Sequence, residues 1–183
     1  MPFLWESIFK SRIFPFFISC FYFLFFLPVF GFSFNLAASS CVQATSGWNS
    51  MQEAVITLNN SRGKTVHLLA RVADEPRELA AGYQFICPEV VRQSAILFDF
   101  GRSFTSRFHM KNVFAPLDIA FFDHFGKLVK VEHMSPEPPG FSGKRKFYSA
   151  GTSYQYALET PSGYLSAHFI SARNSSLDTA TVH

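Results

Sequence analysis

Cysteine is scarce in this chain: 183 residues hold three, Cys20, Cys41 and Cys87. Cys20 falls inside a long apolar run and Cys41 at its end, so only Cys87 belongs to the region from Thr45 onward. On that division no disulfide is expected within the region, and packing alone has to hold it. No Cys-x-x-Cys pair is present to suggest a zinc or dithiol site. Excess charge is lacking as well. From Thr45 on there are 14 Lys and Arg against 12 Asp and Glu, a balance of +2. That excludes the basic footprint of a nucleic-acid-binding protein. The one basic cluster, Lys144-Arg145-Lys146, follows Pro138-Pro139-Gly140 and reads as a solvated loop. No internal repeat is visible.

A third absence is more informative. No charged residue lies between Ile13 and Ala38, and half of the phenylalanines precede Asn35. Such a stretch is costly to expose to water and suits lipid. Lys10 and Arg12 stand just before it and outweigh Glu6, the polarity of an n-region. Residues 1–44 therefore read as a signal peptide or membrane anchor built on a hydrophobic helix, embedded from Ile13 to about Leu36. Val42-Gln43-Ala44 suits signal-peptidase cleavage before Thr45. Ala38-Ser39-Ser40-Cys41 is a weaker lipoprotein-like alternative, and retention as an anchor is a third. The expected location is periplasmic or anchored in the inner membrane.

Residues 45–63 read as a linker, with a possible first strand at Ala54–Leu58 and a turn at Asn59-Asn60-Ser61-Arg62-Gly63. Thr65–Val72 reads as a strand. Asp74 offers an N-cap for a short helix from Glu75 to about Ala81, ended by Gly82. Ala95–Phe98 and Phe104–Met110 are expected as strands. Leu117–Phe122 and Leu128–His133 alternate around Asp123-His124-Phe125-Gly126 and form a β-hairpin. Ser135–Gly143 is a loop, Phe147–Ala150 and Ser153–Glu159 are late strands, and Pro161–Phe169 is a short closing helix. Residues 171–183 are expected to be a flexible tail. The fold class is mainly β: a compact barrel- or sandwich-like domain with one or two short helices.

Three stretches carry a family resemblance. They are Val72-Ala73-Asp74-Glu75-Pro76 through Gly82, Ser94-Ala95-Ile96-Leu97-Phe98-Asp99-Phe100, and Phe108-His109-Met110-Lys111-Asn112-Val113 followed by Pro116-Leu117-Asp118-Ile119-Ala120-Phe121-Phe122-Asp123. Together with Tyr156-Ala157-Leu158-Glu159 they resemble the bacterial and archaeal domain of unknown function 192 family, over roughly residues 64–170. Tyr83-Gln84 replaces the family's frequent Leu-Met, and His109 its frequent tryptophan. Gln84, Cys87 and His109 resemble a variant found in proteobacterial members. The resemblance implies a small, mainly-β, often exported domain. It implies no activity.

Three kinds of chemistry have candidate residues. For a metal, Cys87, His109 and His133 supply thiolate and imidazole, with Met110 and Met134 as further soft groups. Strand alternation would send His109 and Met110 to opposite faces but could bring His109 and His133 onto one. For catalysis, Cys87, His109 and Asp118 contain the types of a nucleophile, base and orienter. Pro88 argues against a helix beginning at Cys87 to lower its thiol pKa. For binding, Arg107, Lys111, Asn112 and Asp118 could form a polar pocket for a small anionic ligand, walled by Phe104, Phe108 and Phe114, with Arg102 adding positive charge. The simpler account of Lys111, Asn112 and Asp118 is a hydrogen-bonded network fixing a turn, with Asp118 paired to Lys111 or Arg107. No catalytic residue and no cofactor is assigned. The favoured reading is a binding or accessory module of the cell envelope, partnered by the membrane and by an envelope protein or small anionic ligand, with no nucleic-acid partner. Metal handling and Cys-dependent catalysis rank below it.

Overall fold

The computed structural model describes residues 41–172 and 174–182, all within one compact unit, Ala37–His183. The hydrophobic segment expected over Ile13–Leu36, and Cys20 within it, lie outside the described residues. Among those residues no helix is long and apolar enough to cross a membrane.

Seven strands form the domain: β1 Gln52–Asn59, β2 Thr65–Ala73, β3 Ile96–Phe104, β4 Leu117–Phe122, β5 Leu128–Met134, β6 Tyr154–Pro161 and β7 Ser176–Leu177. Their order is β5-β4-β6-β3-β2-β1-β7. The two ends of this sheet meet. Lys127 bridges Ser176, and the Leu177 N–H donates to the Gly126 carbonyl at 2.8 Å. The sheet is thereby closed into a small barrel, which removes its open edges.

Turn chemistry sets the two hairpins. Between β1 and β2, the Asn60 side-chain oxygen accepts from the Arg62 and Lys64 N–H groups at 3.0 and 2.9 Å. Between β4 and β5, the Asp123 carboxylate accepts from the Phe125 and Lys127 N–H groups at 3.0 and 2.9 Å. Gly126 follows with φ +76°, and a Cβ there would fall 2.1 Å from the Leu177 carbonyl oxygen. Only glycine lets β7 approach this closely.

β2 and β3 are parallel, so the chain between them crosses over. The crossover carries α2, Pro76–Ala81, and α3, Pro88–Val91; α1, Ser46–Ser50, precedes β1. Glu75 is the N-cap of α2, in place of the Asp74 expected, because Glu75 and Glu78 close a reciprocal capping box. Both faces of the central strands are covered. One face fills the barrel with Ile56, Leu58, Leu97, Phe122, Tyr156 and Leu158, capped by Leu165 of α4, Tyr164–Ala167. The other carries Ile96, Phe98, Ile119, Phe121 and Tyr154 under Trp48, Tyr83, Ile86, Met110 and Val113. All six residues of β4 are buried as a result.

Several expectations are corrected. Phe104 ends β3, and the segment to Met110 is no strand. It holds only a bridge between Phe108 and Tyr148, which is also all that remains of the strand expected at Phe147–Ala150. The tail is docked: Leu177 and Val182 are buried, and a 3-10 turn at Thr179–Thr181 packs beside β1. Cys87 is the N-cap of α3, since Pro88 fits the first helical position where no N–H is needed. The largest correction concerns Cys87 itself, which is disulfide-bonded to Cys41. The domain therefore reaches back past Thr45. Val42 pairs with Ile86 beside the bond, its N–H donating to the Phe85 carbonyl at 2.8 Å.

Candidate functional site

Glu159 is the one acidic residue on β6, the strand between β3 and β4. Its register partners are Ile96 on one side and Ile119 on the other, both fully buried. A cross-strand partner shares a face, so the carboxyl group rises from an apolar surface. Glu159 is itself only 5% exposed. Burial pushes its carboxyl pKa up to about 8. Among the described residues it has no ion-pair partner, and no hydrogen bond offsets the burial.

Glu159 lines a cavity of about 280 Å³. One wall is the end of α2 with Gly82, Tyr83 and Gln84, and the other is the loop Ser106–His109. Phe98, Phe100 and Phe108 supply aromatic surface. Phe98 and Phe108 meet edge to face with centroids 5.2 Å apart, and Phe100 lies 6.4 Å from Phe98. Gly82 ends α2 with φ +47°, its N–H donating to the Glu78 carbonyl at 3.2 Å, and a Cβ there would touch the Phe98 ring. Glycine thus both terminates the helix and keeps the cavity clear. Tyr83 is buried, its hydroxyl 3.2 Å from the Ser94 hydroxyl, and burial raises its phenol pKa.

The four residues expected to bind an anion do not converge. Arg107 lines the Glu159 cavity, and its guanidinium lies 4.4 Å over the Phe147 ring. Lys111 and Asn112 line a second cavity of about 240 Å³ with Phe114, Phe141 and the ion pair of Glu137 with Arg145, 2.6 Å. Asn112 has φ +58°, and its carbonyl accepts from the Phe85 N–H at 2.7 Å, the structural turn role. Asp118 lies elsewhere again. Its carboxylate accepts from the Gly163 N–H at 2.7 Å and lies 3.0 Å from His133 Nδ1, so its partner is neither Lys111 nor Arg107.

The metal and thiol candidates are also separated. Cys87 offers neither thiolate ligand nor nucleophile, because its sulfur is bonded to Cys41. His109 lines the Glu159 cavity and its Nδ1 accepts from the Lys111 N–H at 3.3 Å, whereas His133 sits at the end of β5. His109 is not on a strand, so the face-sharing argument fails. Among the described residues no three His, Cys, Asp or Glu side chains are placed to hold a metal ion. Ser162, His133 and Asp118 do cluster, but the serine hydroxyl, at 3.3 Å, and the carboxylate both approach Nδ1. A nucleophile and an orienting acid need opposite ring nitrogens, so this is a structural contact.

Comparison with known proteins agrees with this fold. The model of the family domain of unknown function 192, uncharacterized ACR, matches residues 57–175. Among solved structures, a candidate transcription regulator from Sinorhizobium meliloti 1021 superposes with a TM-score of 0.60 and 23% identity, covering 72% of this chain and 97% of that one. A protein of unknown function from Novosphingobium aromaticivorans DSM 12444 gives 0.60 and 18% identity, covering 78% and 96%. At these identities the likeness is one of fold. No curated protein matches the chain.

Proposed function

The chain belongs to the domain of unknown function 192 family, and we propose that it is a small-molecule-binding accessory module of the bacterial cell envelope. One observation carries the reading: a buried carboxyl group, without a partner among the described residues, at an aromatic-walled cavity. An ionisable group in the middle of a sheet opposes stability, and burying it without a partner calls for compensation from outside the chain. A cavity with aromatic walls and a small number of polar groups is the usual form of a ligand site. No nucleophile is assembled beside it among the described residues, which favours binding over catalysis. The Cys41–Cys87 disulfide supports an oxidising compartment, as does the uncharged segment Ile13–Ala38.

Ligand-observed NMR of the full chain with a small-molecule library tests the proposal. Ala80 is exposed and lines the cavity, so Ala80→Trp obstructs it without disturbing the core. Binders that lose their signal with Ala80→Trp are the expected result. A library with no such binder refutes the reading.

A further inference from the structure

We infer that the Glu159 cavity takes an organic cation, whose protonated amine or quaternary ammonium sits against the Glu159 carboxylate while its body lies among Phe98, Phe100 and Phe108. The inference rests on the cavity being a binding site and names the chemistry of what binds. A buried carboxyl has two ways to be accommodated: it takes up a proton, or it meets a cation. Among the described residues no cation is supplied to it. Arg71 is held by Glu53 at 2.9 Å and by the Trp48 and Met51 carbonyls at 3.3 and 3.2 Å. Arg107 lies over Phe147, an exposed ring outside the cavity lining. The other titratable groups lining the cavity are Tyr83, whose hydroxyl contacts Ser94, and His109, whose Nδ1 accepts a backbone N–H.

The walls suit the same ligand. Aromatic faces attract cations, most strongly where water is excluded. A volume of about 280 Å³ stands near the lower limit for small-molecule sites, roughly 300 Å³, so the ligand is small. A metal ion would need more donors than one carboxylate, and no such group exists among the described residues. An anion would gain nothing from Glu159.

Binding such a cation must displace the proton that burial holds on the empty site. A permanent cation, tetramethylammonium, should therefore bind about tenfold more tightly at ~pH 9 than at ~pH 7, and release close to one proton at the lower pH. Calorimetry of the full chain in buffers of differing ionisation enthalpy reads both quantities. Benzylamine should bind near neutral pH, with benzyl alcohol and benzoate at least about tenfold weaker. Glu159→Gln keeps the shape and should abolish the amine's advantage over the alcohol. Phe100→Leu keeps an apolar wall without a ring, and should weaken tetramethylammonium by about 2–5-fold. Equal binding of alcohol or benzoate, or an amine affinity unchanged by Glu159→Gln, overturns the cation inference while leaving a binding cavity. Failure of every probe overturns the inference, whereas a library without an Ala80→Trp-sensitive binder overturns the reading beneath it as well.

Discussion

Replacing Glu159 by glutamine removes a charge from the middle of a sheet and alters almost nothing else. The carboxyl has a pKa near 4.5 when exposed and about 8 when buried beside Ile96 and Ile119. Below pH 4.5 the group is protonated in both folded and unfolded chains and exerts no penalty. Between the two values the unfolded chain loses the proton while the folded one keeps it, so folding stability falls as pH rises. Above about 8 both are ionised and the loss is complete. At about 1.4 kcal/mol per unit, the gap corresponds to roughly 5 kcal/mol, of which roughly 3 kcal/mol is already lost at neutral pH. Glutamine does not ionise and escapes this loss. Urea unfolding, followed by the fluorescence of buried Trp48, should give similar stabilities for the two proteins at ~pH 5 and a more stable Glu159→Gln at ~pH 9. Every other titrating group is common to both proteins and cancels in the difference. Parallel pH profiles, or a variant less stable than the parent at ~pH 9, would show that Glu159 has a partner when folded and would refute the reasoning.

Gly126→Ala places a Cβ against the Leu177 carbonyl at a left-handed position, and should lower stability by at least about 2 kcal/mol. Hydrogen exchange should quicken at the Leu177 N–H, while the β4–β5 hairpin stays protected. Asp118→Ala leaves the Gly163 N–H without its 2.7 Å acceptor and should lower stability by about 2–3 kcal/mol in thermal or urea unfolding. His133→Ala should have less than about 1 kcal/mol effect, because the His133 side chain is 56% exposed. Cys41→Ser with Cys87→Ser opens a loop of 46 residues' separation, for which chain entropy gives about 4 kcal/mol of destabilisation. Reductant should reproduce that loss in the parent and have no effect on the double variant.

What could be read from the sequence was what is local. The β4–β5 hairpin is encoded by two runs of strand length around an Asp-x-x-Gly turn, and it was legible. So was α2, whose Pro76 and Gly82 mark both ends. The five-residue α1 has one cap, Thr45 accepting from the Trp48 N–H, and is too short to show a period. The tail reads as polar because Leu177 and Val182 are its only buried apolar residues among those described, and its hydrogen-bonded partners lie far off in sequence, in β1 and beside Gly126. Phe104–Met110 misled because β3 runs on to Phe104 through an irregular stretch after Asp99, then leaves the sheet. Glu159 does not stand out in the sequence because Tyr-Ala-Leu-Glu also fits a strand with one wet face. The signal was present in the adjoining strands: Ile96 and Ile119 border Glu159. Reading it needs the strand order, which no local pattern gives.

The disulfide changes how the N-terminal segment can be understood. Cleavage before Thr45 would carry Cys41 away with the leader, and Cys87 would be left unpaired. Lipidation at Cys41 forms a thioether at the same sulfur that the disulfide uses. Neither is compatible with the bond between Cys41 and Cys87. On the export reading, two fates remain: cleavage at or before the Ser40–Cys41 bond, or retention of the segment as an anchor. Either keeps Cys41 and Val42, and with them the strand-like pairing of Val42 to Ile86 that fixes the chain just before α3. That pairing lies close to the cavity wall. The Phe85 N–H is held by the Asn112 carbonyl, and Gln84 next to it lines the cavity. The disulfide therefore ties Cys41, four residues before Thr45, to the stretch of chain that forms the cavity wall.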